Sequence, residues 1–188
     1  MASDSARVRL TGRGGQGIML AGAILAEAAM RDGRHVAQTQ EYGPEARLGA
    51  TRADVIVAAG PIAYPEVDVA DLLLCLSRDG ALRYITRLAP GGRAVVDTRF
   101  IDDVRVKAPD TATLIALPLL VTARAVGDEI TTNVVGLAAL VGLSHVVSVE
   151  SLEAALVARA KAEFAELNRR ALAEGLSLGA AARVREAS

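Results

Sequence analysis

A strand pattern that runs into a cluster of glycines and then into a helix pattern restricts the fold of this chain more than any other feature. The stretch reads RVRLTGRGGQGIMLAGAILAEAAMRDG: RVRLT alternates, and residues 18–30 repeat apolar and small side chains at helical spacing. Gly33 stands where a helix C-terminal cap is expected. Because Gly12, Gly14 and Gly17 match G-x-G-x-x-G, the stretch predicts a β-strand, a phosphate-binding turn and an α-helix.

The rest of the chain alternates between strand and helix patterns. Strands are expected at HVAQT, TRADVIVAA, DLLLCLS, RAVVDT and ATLIAL, and a helix at RDGALRYITRLA that ends at PGG. The last helix is expected over SLEAALVARAKAEFAELNRRALAEG, with Ser151 as N-cap and Glu153 in its first turn. We therefore predict an α/β fold: a single doubly wound, mostly parallel sheet with helices on both faces and a helical C-terminal part.

The length and composition favour one folded domain. The chain has 188 residues, and we expect a disordered N-terminus over 1–6, a domain over 7–176 and a flexible tail over 177–188. The apolar fraction is 52%, yet no run approaches the roughly 18 apolar residues that a membrane span requires. MASDSAR has no leader features, so a cytoplasmic protein with no membrane partner is expected.

Charge and cysteine content exclude several classes of function. The net charge is −1, basic residues are dispersed and aromatic residues make up 3%, which argues against a nucleic-acid partner. Cys75 is the only cysteine, so the chain can form no internal disulfide and cannot supply the ligands of an iron–sulfur cluster. We expect Cys75 to be a small buried hydrophobic residue on a strand, and we predict no metal site in this chain.

The glycine turn has two possible roles. Glycines allow positive φ and close backbone approach, and the N–H groups at a helix start favour an anion. Arg13 adds a cation, Gly15 a fourth glycine, and Gln16 an amide that can both donate and accept hydrogen bonds. The turn either binds a phosphate-bearing ligand or is a tight connection that binds nothing.

A nicotinamide dinucleotide is a poor match for this turn. The dinucleotide signature requires an acidic residue at the end of the second strand, where it binds the ribose hydroxyls. The predicted second strand ends at Thr39, and Glu41 lies beyond it in the predicted loop QEYGPEARLGAT. The sequence therefore disfavours a nicotinamide site.

The predicted second loop adds polar side chains to the same region. Loops at the carboxyl ends of strands line the ligand crevice in open α/β sheets, so this loop and the glycine turn should share one edge. Glu41, Tyr42, Glu45 and Arg47 fall within seven residues of a loop that Gly and Pro make rigid. Glu45 and Arg47 could equally form a solvated surface ion pair.

Five segments together resemble the gamma subunit of 2-oxoacid:ferredoxin oxidoreductases. They are GRGGQGIMLAGAILAEAA, YGPEARLGATRADVIV, YPEVDVADLLLCLS, LAPGGRAVVD and TTNVVGLAALVGL, in order and at matching spacing, and KAEFAELNRRALAEG resembles the family's closing helix. The resemblance implies that residues 7–176 are a gamma-type domain of a complex that oxidatively decarboxylates a 2-oxoacid, foremost 2-oxoglutarate or pyruvate. The products would be an acyl-CoA, carbon dioxide and reduced ferredoxin or another reduced acceptor.

The resemblance also implies a division of labour between subunits. Thiamine diphosphate and Mg would bind to alpha and beta subunits, and 4Fe–4S clusters to beta or to a small ferredoxin-like delta subunit. This chain has no GDG…N segment for the thiamine diphosphate metal. The gamma subunit would be inactive alone and contain no catalytic residue, but it would contribute to coenzyme A binding.

The family's motif positions identify the residues expected at the coenzyme A site. Six lie in the first loop, six in the second loop and one before the penultimate helix. They are Gly12, Arg13, Gly14, Gly15, Gln16 and Gly17, then Tyr42, Gly43, Pro44, Glu45, Arg47 and Gly49, and finally Asn133. Asn133 could instead be a helix N-cap. Leu48 departs from the family, which usually has glycine there, and positive φ at Leu48 would cost about 1–2 kcal/mol.

Two other functions remain open from the sequence: a free-standing nucleotide-dependent oxidoreductase, and a scaffold subunit whose glycine turn binds nothing. Within the family, the indolepyruvate enzymes typically begin the second loop with His-Gly-Met. YGPEAR therefore favours the branch that acts on pyruvate, 2-oxoglutarate and aromatic 2-oxoacids.

Overall fold

The computed structural model describes residues 5–41 and 50–186. The strands are β1 (Ser5–Arg13), β2 (His35–Glu41), β3 (Ala50–Ala58), β4 (Ala70–Cys75), β5 (Leu88–Asp97) and β6 (Thr113–Leu117). The helices are α1 (Ile18–Arg31), α2 (Arg78–Tyr84), α3 (Ile101–Arg105), α4 (Leu119–Val126), α5 (Thr132–Ser144), α6 (Val149–Arg159) and α7 (Ala165–Glu186). Short 3-10 turns lie at Ile85–Arg87, Thr98–Phe100, Glu129–Thr131 and Ala162–Phe164.

Six strands form one sheet in the order β2-β3-β1-β4-β5-β6. The strands β1, β4, β5 and β6 are mutually parallel, whereas β3 lies antiparallel between β1 and β2. The α/β class with a mostly parallel sheet is therefore confirmed. The antiparallel β3 was not predicted, because the alternation of TRADVIVAA specifies a strand but not its direction.

Helices cover both faces of the sheet, as expected for strands that are apolar on both sides. One face carries the larger core, in which Leu10, Val55 and Leu74 pack against α1, α5, α6 and α7. The other face carries a smaller core around Leu73 and Cys75, covered by α2 and α3. None of the helices that the structure describes is both long and apolar enough to span a bilayer.

The order of the strands places a crevice between the carboxyl ends of β1 and β4. From β1 the chain crosses to β2 on one side, and from β4 it continues to β5 and β6 on the other. This reversal is the topological switch point, where open α/β sheets bind ligands. The glycine turn follows β1 directly and therefore lies at this point.

The predicted last helix is two helices in the structure. The chain leaves helical geometry at Ala160, where ψ is 144°, and α7 begins at Ala165. The expected N-cap at Ser151 is wrong: Ser148 is the N-cap of α6, and its Oγ accepts a hydrogen bond from the Ser151 N–H. Glu150, rather than Glu153, is the acidic residue in the first turn.

The predicted helix RDGALRYITRLA is also shorter than expected. Helix α2 ends at Tyr84, a 3-10 turn follows, and β5 already begins at Leu88, so PGG lies inside β5. Gly91 has a φ of 75°, and the pairing of β4 with β5 shifts register between Ala70 and Leu72. An irregular strand start with a positive-φ glycine therefore replaces the expected helix end.

Both predicted terminal boundaries are corrected by the structure. Ser5 and Ala6 belong to β1 and pair with Ala58 and Val57, so the N-terminal boundary at residue 7 lies two residues too late. Residues 177–186 continue α7, where Gly179 and Ala182 are buried. The flexible tail predicted from residue 177 is therefore wrong up to residue 186.

Helices α5 and α7 approach each other closely at two glycines. A Cβ built on Gly175 would collide with the carbonyl oxygen of Val135, and one on Gly179 with that of Ala139. Both obstacles are backbone atoms of α5, which no side-chain rotation can move. Glycine at 175 and 179 therefore sets the distance between the two helices.

Asp32 joins the end of α1 to the start of α6. Its carboxylate accepts hydrogen bonds from the Ser148 N–H at 2.7 Å, the Ser148 hydroxyl at 2.6 Å and the Ser151 hydroxyl at 2.5 Å. Partial desolvation raises the pKa of Asp32, but these hydrogen bonds and the charge of Arg34 outweigh it, so the pKa is lowered overall. The ionised carboxylate therefore stabilises the junction.

We expect Asp32→Ala to lower the free energy of unfolding by about 1 kcal/mol at neutral pH, a cost limited by solvent exposure. Because the folded pKa lies below the unfolded value of about 3.9, the contribution is present above that value and is lost as pH falls through the folded pKa. Urea unfolding at neutral pH and below about pH 4 should show a difference from the unmodified chain that shrinks in acid. Asp110→Ala is the control, since this exposed carboxylate has no hydrogen bond within the described residues; an equal loss in both variants would contradict the prediction.

Candidate functional site

The glycine loop, residues 13–17, connects β1 to α1 at the switch point. Gly15 has a φ of 88° and Gly17 a φ of 70°, both in the left-handed region that favours glycine. Gly17 is the N-cap residue of α1 and offers no side-chain cap, and the first turn of α1 contains no acidic residue. The positive end of α1 therefore opens onto the loop without an internal anion to neutralise it.

The Gln16 side chain stabilises the glycine loop with two hydrogen bonds. Its Oε1 accepts a hydrogen bond from the Arg13 N–H at 2.7 Å, and its Nε2 donates to the Leu76 carbonyl oxygen at 3.2 Å. Leu76 lies just beyond β4 and itself donates from its N–H to the Thr11 carbonyl oxygen. The Gln16 amide, which the sequence predicted at the ligand, thus makes bonds that tie the loop to the end of β4.

Asn133 holds the same loop from the side of α5. Its Nδ2 donates to the Gly17 carbonyl oxygen at 3.2 Å, and the side chain is buried. A Cβ on Gly17 would overlap the Asn133 amide. The alternative role of Asn133 as a helix N-cap is wrong, because Asn133 lies inside α5 and Thr131 occupies the N-cap position of that helix.

Several N–H groups of the loop remain available to a ligand. No acceptor among the described residues pairs with the N–H groups of Gly14 and Gly15, and those of Ile18 and Met19 lie in the first turn of α1, where no intrahelical acceptor exists. The guanidinium of Arg13 is half exposed and 3.4 Å from the Asp79 carboxylate. The loop thus combines backbone N–H donors with the exposed Arg13 guanidinium. This combination is suited to binding an anion.

A cavity of about 320 Å³ adjoins the loop. Gly15 and Gln16 form one wall, and Leu120, Asp128, Glu129, Ile130 and Thr132 form the other. Its volume is in the range of small-molecule sites. The far wall combines two apolar side chains with carboxylates, so it favours a neutral group with N–H donors over a phosphate.

The second wall of the cavity was not predicted from the sequence, and neither were Asp79 and Leu76 as partners of the glycine loop. Asp79 is separated from Arg13 by 66 positions, and Leu76 contributes only a backbone oxygen, for which no sequence signal exists. Asp128 offered a signal, since a polar residue just before a helical stretch is a cap pattern, and its carboxylate accepts the Ile130 N–H at 2.9 Å.

The second predicted loop lies outside the described residues, and so do all its candidate side chains. These are Tyr42, Gly43, Pro44, Glu45, Arg47, Leu48 and Gly49. Its flanks are described: β2 ends at Glu41 and β3 begins at Ala50, which pairs with Arg13. Both loops therefore connect to the same edge of the sheet.

An acidic residue does end β2, contrary to the prediction that placed Glu41 in the loop. However, β3 separates β2 from β1, which puts Glu41 two strands, about 10 Å, from the end of β1. Its carboxylate is 2.8 Å from the Arg52 guanidinium and 4.0 Å from that of Arg83. Glu41 thus forms ion pairs with Arg52 and Arg83. Its separation from the end of β1 disfavours a nicotinamide site more strongly than the sequence did.

That network extends to a buried ion pair that the sequence did not reveal. Arg9 donates from Nε and Nη2 to the two Asp54 carboxylate oxygens, each at 2.8 Å, and also from Nη2 to the Val67 carbonyl oxygen. The side chains are 1% and 2% exposed. The Arg9 guanidinium carbon lies 4.9 Å from the Tyr84 ring centroid. This pair sits on the face of the sheet opposite α1, below the edge that carries the two loops.

Cys75 is fully buried on β4, as predicted, and burial raises the pKa of its thiol well above the usual range. It is therefore neither a nucleophile nor a metal ligand in this fold. Within residues 5–41 and 50–186, no three His, Cys, Asp or Glu side chains form a group that could hold a metal ion.

The chain matches the family model described as pyruvate ferredoxin/flavodoxin oxidoreductase over residues 7–178. It is 38% identical over 152 residues to the 2-oxoglutarate synthase subunit KorC of Methanocaldococcus jannaschii, covering 80% of this chain and 81% of that relative.

Two solved structures are similar throughout the fold. The keto/oxoacid ferredoxin oxidoreductase gamma subunit of Geobacter sulfurreducens is 39% identical, with a TM-score of 0.82 over 95% of this chain and 98% of that one. The 2-oxoglutarate:ferredoxin oxidoreductase of Magnetococcus marinus, solved with 2-oxoglutarate, coenzyme A and succinyl-CoA bound, has a TM-score of 0.84 at 22% identity over 95% of this chain and 32% of that one, which shows a shared fold. The chain belongs to the pyruvate ferredoxin/flavodoxin oxidoreductase family and is a gamma-type subunit of a 2-oxoacid:ferredoxin oxidoreductase.

Proposed function

We propose that this subunit contributes the coenzyme A side of the active centre, with the glycine loop receiving a phosphate group of the cofactor. The observation that carries the proposal is the loop itself: its backbone N–H groups at the start of α1 have no acceptor among residues 5–41 and 50–186, Arg13 lies at the mouth, and the first turn contains no acidic residue. Coenzyme A carries a pyrophosphate and a ribose phosphate, which are the anions that such a turn binds.

The adjoining cavity suits the uncharged part of the same ligand. Its apolar side chains, Leu120 and Ile130, can pack against an alkyl segment, and the Asp128 carboxylate can accept an amide N–H. A pantetheine arm combines these two features. The proposed ligand therefore has its phosphates at the glycine loop and its neutral arm in the cavity.

The chemistry itself belongs to partner subunits. We propose alpha and beta subunits that bind thiamine diphosphate with Mg, and 4Fe–4S clusters on the beta subunit or on a ferredoxin-like delta subunit. One buried cysteine cannot hold a cluster, so the residues of this chain do not fit that role. The complex would convert 2-oxoglutarate or pyruvate to an acyl-CoA and pass electrons to ferredoxin or a related acceptor.

Replacing Arg13 with alanine in the assembled complex is expected to raise the KM for coenzyme A about fivefold, equivalent to about 1 kcal/mol, because an exposed cation contributes modestly. The kcat and the KM for the 2-oxoacid should stay unchanged. Steady-state kinetics with coenzyme A and 2-oxoacid varied separately provide the measurement.

Arg169→Ala is the matched control, because Arg169 is an exposed arginine of α7 in a comparable ion pair with Glu166. An unchanged KM for coenzyme A in Arg13→Ala would favour a scaffold whose glycine loop binds nothing. Tight binding of NAD to the full chain in isothermal titration would instead favour a nucleotide-dependent oxidoreductase.

A further inference from the structure

A buried carboxylate at the end of β5 holds part of the cavity wall that faces the glycine loop. Asp97 is 1% exposed, and its Oδ2 accepts a hydrogen bond from the Leu120 N–H at 2.9 Å. Pro118, the N-cap residue of α4, offers no side-chain hydrogen bond, so Asp97 caps α4 from the end of another element. Because Leu120 lines the cavity, Asp97 fixes the position of this part of the wall.

The same carboxylate orients an arginine beside that wall. Asp97 Oδ1 accepts hydrogen bonds from the Arg99 Nε at 2.8 Å and from the Arg99 N–H at 3.0 Å. Arg99 and Leu120 therefore bond to the two oxygens of one carboxylate, which makes them neighbours at the carboxyl edge of the sheet. The Phe100 ring centroid lies 5.8 Å from the Arg99 guanidinium carbon and adds a second contact. The guanidinium is thus held at the cavity wall.

The Arg99 guanidinium retains donors for a ligand. Its side chain is 43% exposed, and neither Nη1 nor Nη2 has an acceptor within residues 5–41 and 50–186. Asp97 is buried and both of its oxygens accept N–H groups, so the carboxylate itself is covered. Arginine presents its N–H groups in a planar fork that matches the oxygens of a phosphate. Arg99 is therefore suited to bind a phosphate group beside the cavity.

Arg13 and Arg99 place two cations at the same edge of the sheet. Thr11 of β1 pairs with Cys75 of β4, and Cys75 pairs with Val96 of β5, so the ends of β1 and β5 lie at the same level. Since β4 lies between them, the two strand ends are two strand spacings, about 10 Å, apart. Two long side chains at this separation can contact two phosphate groups of one ligand.

Coenzyme A carries two separate anionic groups, a pyrophosphate and a phosphate on the ribose of its adenosine. A glycine loop at the start of a helix is the usual place for a pyrophosphate. That assignment leaves the ribose phosphate for the second cation. A phosphate monoester also carries more charge than each phosphate of the pyrophosphate, which favours a bidentate arginine.

We propose that Arg99 binds the ribose phosphate of coenzyme A and makes the complex distinguish coenzyme A from the form that lacks this phosphate. This inference rests on the proposed function, in which the glycine loop receives the pyrophosphate, and it adds a second point of attachment. Asp97 is the positioning residue, because it holds both Arg99 and the start of α4.

Binding of coenzyme A and of dephospho-coenzyme A, which lacks the ribose phosphate, to the assembled complex tests the proposal. The unmodified complex should bind dephospho-coenzyme A about tenfold more weakly, because a charge-assisted contact is lost. Arg99→Ala should weaken binding of coenzyme A about tenfold and leave the Kd for dephospho-coenzyme A unchanged, so the two Kd values become equal. Isothermal titration without 2-oxoacid measures Kd, and steady-state kinetics should give the same ratios of KM.

Two further variants separate Arg99 from other effects. Arg13→Ala should weaken binding of both forms about fivefold and keep their tenfold ratio, because both contain the pyrophosphate. Arg7→Ala is the matched control: Arg7 is 40% exposed and paired with Asp71 near the amino end of β1, at the opposite edge of the sheet. Its replacement should change neither Kd.

Two results would overturn the proposal: an unmodified complex that binds both forms equally, or an Arg99→Ala complex that keeps the difference between them. In the second case, weaker binding of both forms to the Arg13→Ala complex would still support the proposed function. Unchanged binding in both variants would contradict the inference and the proposed function together.

Discussion

Asp54→Ala is expected to lower the free energy of unfolding by about 3–5 kcal/mol, because it leaves the Arg9 guanidinium buried without a counter-charge. Both side chains are almost completely buried, so water cannot replace the lost carboxylate. The Tyr84 ring and the Val67 carbonyl oxygen remain, but neither neutralises a full charge. Urea unfolding of the full chain, followed by circular dichroism, measures the loss.

Two further variants separate the ion pair from general damage. Asp71→Ala removes the partner of Arg7, two positions along β1, where the two side chains are 40% and 34% exposed, and it should cost less than about 1 kcal/mol. Replacing both members of the buried pair, with Arg9→Met and Asp54→Leu, should restore most of the stability. A double variant as unstable as Asp54→Ala would contradict this account.

Gly179→Ala is expected to lower the free energy of unfolding by about 3 kcal/mol, the opposite of its usual effect in a helix. At an exposed helical position, alanine is favoured over glycine by about 1 kcal/mol. Here the new methyl group would meet the Ala139 carbonyl oxygen, so α7 must move away from α5 along its length. Thermal and urea unfolding should both show the loss.

Ser177→Ala is the matched control, because Ser177 lies on the exposed side of α7 between Gly175 and Gly179. It should be neutral or slightly stabilising, since only helix propensity changes there. If Gly179→Ala were equally harmless, the close approach of α5 and α7 would not determine the stability of this layer.

The sequence predicted the parts of the fold that depend on local pattern. The strand, glycine turn and α1 helix are all where the pattern placed them, because alternation, positive-φ glycines and helical spacing act over a few residues. Errors arose where distant contacts decide the outcome. The Ser148 hydroxyl that caps α6 is held by a hydrogen bond to Asp32, 116 positions away, and the strand start at Leu88 depends on pairing with β4.

The backbone of the glycine loop has the geometry that the sequence predicted, whereas the hydrogen-bond partners of its side chains were not predicted. Gly15 and Gly17 have the positive φ that glycine patterns favour, and Arg13 lies at the mouth. Gln16 and Asn133 were expected at the ligand, yet their amides bond to the protein itself. An amide in a sequence does not reveal its partner, because the acceptors are backbone oxygens of residues far along the chain.

The bonds that Gln16 and Asn133 make have a consequence for affinity. A glycine-rich segment has more conformational freedom to lose than any other, and a ligand that had to order it would forfeit about 1–2 kcal/mol for each residue fixed. Here β4, through the Leu76 carbonyl oxygen, and α5, through Asn133, have already fixed the segment during folding. An anion that contacted this segment would therefore lose little binding free energy to ordering the loop, and it would bind more tightly than to the same donors on a flexible segment.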